Sequence, residues 1–332
     1  MSTLTRRKFF AGAGAVVASA GFGGLSPSAH SQTERSIRLP WQSPFRVAVI
    51  TDEITQDFDK ACFVASREFG MQWVEIRGLW DKNLMNLTPA QIAEAQRILK
   101  KYGLRVTDIG SPLFKVDWPS APTSKFSPKG DQFNANFGFE QQPEVLEKCI
   151  EVAQAFQTDR VRGFDFWRLE NQAPYRSAID AKLAEAAKQL AKHNLLFVLE
   201  NEHACNTATG AEAAKTLAAV PASNFMLNWD PGNAAAAGEV PFPNGYVQLP
   251  KQRIGHCHCK DIVLKQDGGF EWAAMGKGTI DWVGQFRALK RAGYTHGVSL
   301  ETHWRGTGTA EASTRESWAG MKADLQKAGA LS

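Results

Sequence analysis

Four short apolar runs in the second half of this chain each stop on a group able to hold a cation. Leu196-Phe197-Val198-Leu199 ends in Glu200, and Phe225-Met226-Leu227-Asn228-Trp229 ends in Asp230. Ile254-Gly255-His256-Cys257 ends in His258, and Val298-Ser299-Leu300 ends in Glu301. Each group alone has an ordinary structural use: a helix cap, an Asx-turn before Pro231, a packed strand histidine, a partner for an arginine. Their shared position changes the reading. If the four runs are neighbouring parallel strands, their ends meet at one mouth. Three carboxylates gathered there repel one another unless a cation lies between them. Three oxygens and one imidazole nitrogen suit one divalent ion, Mn²⁺ first, with Mg²⁺, Co²⁺ or Zn²⁺ as alternatives.

Something must bring those ends together. From Phe45 onward, short apolar runs alternate with amphipathic stretches. The pattern predicts strands over 47–51, 73–76, 104–109, 160–164, 195–200, 225–229, 253–258 and 297–301. It predicts helices over 58–69, 89–102, 144–156, 178–193, 280–292 and 312–328, the second opening after Thr88 and stopping at Gly103. Eight strands alternating with helices call for parallel pairing, and closing the sheet removes its edges. The expectation is therefore one α/β domain, a (β/α)₈ TIM barrel over 45–332. An open doubly wound sheet competes, but no Gly-rich turn follows the first strand, where such folds carry their phosphate site.

Two stretches interrupt the rhythm. Residues 110–140 follow the third strand and set Phe114, Trp118, Phe126, Phe133, Phe137 and Phe139 among Pro, Ser and Gly, the composition of a lid over the mouth. Residues 261–278 follow the seventh strand and contain Asp267-Gly268-Gly269, a hairpin-turn signal.

The N-terminus reads as a targeting segment. Thr5-Arg6-Arg7-Lys8-Phe9-Phe10 precedes an apolar, small-residue run and a Ser/Ala-rich exit at Ser31. Residues 1–31 are thus expected to be a twin-arginine export signal leading to the periplasm or outside, and 32–44 a linker. The signal's apolar run is too short for stable membrane insertion. Arg6, Arg7 and Lys8 account for three of the formal +4 charges, leaving +1 for the rest. A nearly neutral body argues against nucleic acid as a partner. Five cysteines without regular spacing are no disulfide framework and are expected mostly as buried thiols.

The order of these motifs resembles the sugar phosphate isomerase/epimerase superfamily, the xylose isomerase-like barrels. The resemblance runs from Arg46 to the C-terminal helix. It rests on Ile50-Thr51-Asp52-Glu53-Ile54, Glu75-Ile76-Arg77, Leu199-Glu200-Asn201, Asp230-Pro231-Gly232-Asn233, His258-Cys259-Lys260-Asp261, Gly276-Lys277-Gly278-Thr279 and Ser299-Leu300-Glu301. It implies that Glu200, Asp230, His258 and Glu301 ligate the metal, and that Glu200 and Glu301 also carry the proton chemistry. A metal chelating a carbonyl and its neighbouring hydroxyl stabilises a cis-enediolate. One glutamate removes a carbon-bound proton and the other returns it to the opposite face or to the neighbouring carbon. Glu75, His203, Asn233, Lys260 and His303 are candidate substrate contacts, Glu75 alternatively pairing with Arg77 and Lys260 with Asp261. His256 is expected deeper in the barrel interior.

These readings predict a metal-dependent isomerase or epimerase acting on a small carbohydrate. Export and the lack of an arginine cluster at the late strand ends favour an unphosphorylated one. A lyase acting on a keto-sugar such as a 3-keto-glycoside would use the same enolate. An apurinic-endonuclease-like nuclease would need more histidines than the seven present. A sugar-binding protein without activity would have no use for two opposed glutamates. Homo-oligomerisation stays open.

Overall fold

The computed structural model describes residues 41–128 and 135–332. The expected export signal over 1–31, and Phe133, lie outside the described residues. The eight barrel strands are β1 Arg46–Val49, β2 Trp73–Ile76, β3 Arg105–Leu113, β4 Arg160–Gly163, β5 Leu196–Glu200, β6 Phe225–Trp229, β7 Ile254–Cys259 and β8 Gly297–Leu300. All pair in parallel, in the sequence order β2 to β8 and then β1. A parallel bridge between Ile50 and Glu75 joins β1 to β2 and nearly closes the ring. This is the (β/α)₈ TIM barrel.

Burial on both faces explains the continuous apolar runs: helices cover the outside, and the interior is filled. In β7 the two faces have different chemistry. His256 and His258 reach across the interior to Glu75, while Cys257 and Cys259 belong to the apolar core. All five cysteines are buried free thiols. Helix Pro89–Tyr102 has the expected bounds, because Thr88 caps the Gln91 amide, Gln91 bonds back, and Gly103 takes the left-handed conformation at φ 67°. Helix Gly210–Ala219 escaped the periodicity because it is alanine-rich; its reciprocal Thr209/Glu212 capping box was the available signal.

Three differences bear on the site. Strand β3 continues to Leu113, past the expected end at 109, with an irregular register between Ile109 and Leu113. Gly110, Ser111 and Pro112 look like loop residues, yet the Ser111 hydroxyl donates to the Arg162 carbonyl and holds the segment on β4. The aromatics beyond mostly pack the loop rather than line the mouth. Phe114 stacks on Phe166 at 5.1 Å, and Trp118 meets Phe166 edge-on at 4.8 Å. The described part of the expected linker is also packed: Trp41 is buried against Trp318 and donates to the Phe69 carbonyl at 3.1 Å. Residues 261–278 do carry the hairpin, Asp261–Leu264 against Phe270–Ala273. No described helix is long and apolar enough to cross a membrane.

Candidate metal centre

Strand ends β5 to β8 deliver Glu200, Asp230, His258 and Glu301 to one point, with their potential ligand atoms within 4.8 Å of one another. All four are buried. His258 Nδ1 lies 3.4 Å from Glu200 Oε1, 3.7 Å from Asp230 Oδ2 and 3.2 Å from Glu301 Oε2. Local structure aims each atom. Asp230 caps the helix Pro231–Ala236: its Oδ1 accepts from the Asn233 amide at 2.8 Å, which leaves Oδ2 turned to the centre. Asn201 clamps the same turn, donating to the Asp230 carbonyl and accepting from the Asp230 amide.

The residues present fit a divalent cation. His258 Nδ1 is buried without a hydrogen bond, and Asp230 Oδ2 is met by the Lys260 ammonium alone at hydrogen-bonding distance. Burial opposes charge on the His258 imidazole, but Glu75, Glu200 and Glu301 outweigh it and hold its pKa well above that of an ordinary histidine. The site thus collects positive charge by every route open to it. Lys260 does the same. It is 2 % exposed, and its ammonium lies 2.7 Å from Asp230 Oδ2 and 2.5 Å from Glu301 Oε2. Gly232 makes room for this side chain, since a Cβ there would sit 2.5 Å from Lys260 Cγ.

Behind these groups stands a set of partners that the sequence reading missed. The second oxygen of Glu301 accepts from Arg77 at 2.9 Å, and Glu200 Oε2 faces Arg162 at 3.3 Å. Arg77 also binds Asp52 and Glu53. With Lys115, paired to Glu202 at 3.2 Å, these cations line the cavity above the two glutamates. The signal was in the sequence. Arg160 and Arg162 stand two apart in a short strand, a spacing that sends both to one face, and Arg77 directly follows β2.

The candidate substrate contacts fall into two groups. His303 lines the cavity, 3.3 Å from Glu301 Oε1. His203 is partly exposed, its Nδ1 held by Glu202 at 2.7 Å and near Asn233 Oδ1 at 3.2 Å. The other three are fully enclosed and serve the ligands instead. Asn233 donates to Glu200 Oε1 at 3.1 Å, and Lys260 pairs with Asp230 and Glu301, not with Asp261. Asp261 instead accepts the amides of Ile262, Gly276, Gly278 and Ile280. Glu75 lies under the site, with no exposure and with hydrogen bonds to His258 Nε2 at 3.1 Å and His256 Nε2 at 3.1 Å. It pairs with neither a substrate-facing opening nor Arg77. Burial opposes its charge, yet His258 and His256 hold it well below the usual carboxylate range.

A carboxylate on the far nitrogen of a ligating histidine orients the ring and raises its basicity. Glu75→Gln is therefore expected to weaken divalent-metal binding by about 10–100-fold, read by isothermal titration with Mn²⁺. An unchanged Kd would show that Glu75 does not hold His258 for the metal.

A family model, the xylose isomerase-like TIM barrel, matches residues 63–323. A provisionally named L-ribulose-5-phosphate 3-epimerase of Escherichia coli strain K12 is 24% identical over 168 residues. That match takes in 49% of this chain and 58% of the relative, so the chain spans little more than half of the relative's length. Among solved structures, a D-allulose 3-epimerase from Methylomonas has a TM-score of 0.62 at 18% identity, covering 86% of this chain and 99% of that one. The probable 3-DHS dehydratase of Bacillus anthracis has a TM-score of 0.63 at 19% identity, covering 84% and 98%. The IOLI protein, whose structure holds a zinc atom, has a TM-score of 0.64 at 14% identity, covering 85% and 99%. At such identities the structural likeness speaks for the fold, while the family model spans most of the chain. The chain belongs to the xylose isomerase-like TIM barrel family.

Proposed function

We propose that this protein is a divalent-metal-dependent isomerase or epimerase that moves a proton next to the carbonyl of an unphosphorylated sugar. The observation that carries the reading is the pair Glu200 and Glu301, each with one oxygen at the four-ligand centre and the other on a separate arginine. When bound there by Glu200, Asp230, His258 and Glu301, a divalent ion supplies Lewis-acid polarisation of a substrate carbonyl. Manganese is the ion proposed first. Glu200 and Glu301 come from β5 and β8, on different sides of the mouth, so one can take a carbon-bound proton and the other can return it. Arg162 and Arg77 keep the two carboxylates ionised and oriented. His303 stands at the cavity wall within reach of a substrate hydroxyl.

The charge balance supports a neutral substrate. Arg77, Arg162, Lys115 and Lys260 line or floor the mouth, but each is paired with a carboxylate. Among the described residues of the mouth these cations all have carboxylate partners, which favours a substrate without phosphate. The E. coli relative is named for a phosphorylated sugar; the pairing of these cations supports a neutral sugar for this chain. We also propose export by the twin-arginine route, supported by Arg6-Arg7 and the apolar run behind them. An Arg6-Arg7→Lys-Lys variant that still left the cytoplasm would overturn that assignment.

The test of the chemistry is isotope exchange. The protein loaded with Mn²⁺ is incubated in D₂O with ketoses and with keto-glycosides, and NMR follows deuterium at the carbon beside the carbonyl. Incorporation with a new sugar as product is the expected result. Release of the second unit from a keto-glycoside would instead mark a lyase working through the same enolate. No exchange with any of these compounds by metal-loaded protein would sink the proposal.

A further inference from the structure

The active-site mouth is not the only cavity on this face. Beside it runs a second groove of about 400 Å³, walled by Phe126, Arg168, His203, Leu264 and Phe270. Two of its walls come from the hairpin Asp261–Leu264/Phe270–Ala273, which the barrel fold itself does not require. Leu264 is 54 % exposed there, an apolar side chain left uncovered at the edge of the groove. Phe270 is half-buried and packs edge-on against Trp272 at 5.1 Å.

The groove adjoins the mouth: Glu202 lines the cavity over the glutamates and its neighbour His203 lines the groove, with packed rings along the divide. His303, which lines the cavity over Glu200 and Glu301, meets Trp272 edge-on at 4.8 Å. Trp272 leads to Phe270, and Phe270 meets the His203 ring at 5.6 Å. Trp272 also covers the Lys260 ammonium at 5.4 Å. His203 stands at the junction. Its Nδ1 is committed to Glu202 and Asn233, and Asn233 in turn holds Glu200. Its Nε2 makes no hydrogen bond among the described residues, so the polar edge of the ring is free for a ligand in the groove.

We infer that the groove binds the second unit of a two-unit substrate, a glycoside whose reacting sugar occupies the mouth and whose second sugar or aryl group lies against Phe270 and Leu264. The inference rests on the proposed sugar chemistry and narrows its substrate class. Apolar walls at Phe126, Leu264 and Phe270, with Arg168 and His203 as polar groups between them, suit a ring that offers an apolar face and hydroxyl oxygens. With its Nδ1–H directed to Glu202 and Asn233, His203 offers Nε2 as an acceptor for a hydroxyl of the second unit. A free monosaccharide would fill the mouth and leave the groove to water.

Non-enolisable ligands test this without turnover. Binding of methyl β-glucoside, phenyl β-glucoside and methyl β-cellobioside to the full chain loaded with Mn²⁺ is measured by calorimetry. The two-unit ligands are expected to bind about tenfold more tightly than methyl β-glucoside, the effect of covering a modest apolar face. Leu264→Asp, at a side chain exposed enough to leave folding intact, and Phe270→Ala are each expected to abolish most of that preference. Equal affinities in the parent protein, or a preference that survives both substitutions, would overturn the inference. The two readings fail separately. If ketoses exchange deuterium but two-unit ligands gain nothing, the groove assignment falls and the proposed chemistry stands. If no sugar exchanges or binds, both fall.

Discussion

Glu200→Gln is expected to slow exchange of the substrate's carbon-bound proton by about 10²–10⁴-fold, the usual contribution of a positioned general base. The assignment follows from an asymmetry between the two glutamates. Glu301 has both oxygens committed, Oε1 to Arg77 at 2.9 Å and Oε2 to Lys260 at 2.5 Å. Burial opposes its charge, but Lys260, His303 and His258 outweigh it and hold its pKa well below the ordinary carboxylate range. Glu200 is held lower as well, by His258 and Arg162 against burial. Yet its Oε2 is buried without a hydrogen bond, facing Arg162 only at 3.3 Å. The less committed oxygen is the better placed to accept a proton. Glu301 then returns it, so Glu301→Gln is expected to lose net inversion while retaining part of the exchange. Metal content distinguishes a base from a ligand, since the substituted amide still offers an oxygen. If Glu200→Gln loses its metal and excess Mn²⁺ restores exchange, Glu200 is a ligand only.

The sequence disclosed the strand ends far better than the ground beneath them. Glu200, Asp230, His258 and Glu301 were legible because each terminates an apolar run, and strand periodicity fixes which end faces the mouth. The run 225–229 was readable to the residue for the same reason, being buried along its whole length. Contacts between distant strands were not legible. Glu75 is 183 residues from His258 and meets it only because the barrel sets β2 across from β7. Nothing in Glu75-Ile76-Arg77 separates a substrate contact from a histidine partner. The same holds for Arg77 and Glu301, 224 residues apart. Strand β3 was cut short at 109 because Gly110, Ser111 and Pro112 have turn chemistry, and only the neighbouring β4 carbonyl shows why they stay in the sheet. Local propensity gave way to a tertiary contact at the places where the site is supported.

Lys260→Met is expected to destabilise the protein by about 3–5 kcal/mol in the presence of a chelator, the usual cost of removing one member of a buried ion pair. The ammonium is the nearest cation to Asp230 Oδ2 and Glu301 Oε2, and it lies 4.0 Å from Glu200 Oε1. Without it, Asp230 Oδ2 keeps only His258 at 3.7 Å, while Glu200 and Glu301 retain Arg162 and Arg77 on their outer oxygens. Methionine keeps the length of the stem beside Gly232 and Trp272, so the change removes charge with little loss of packing. A divalent ion among the same oxygens would restore the lost charge. The midpoint of urea unfolding should therefore fall sharply in chelator and recover most of the loss in saturating Mn²⁺. The gain from metal should be larger in the variant than in the parent, because a cation that binds only the folded state adds stability by mass action and here no longer competes with an ammonium. Equal destabilisation with and without metal would mean that Lys260 and the cation act at different oxygens, and the four-ligand centre would have to be redrawn around the remaining groups.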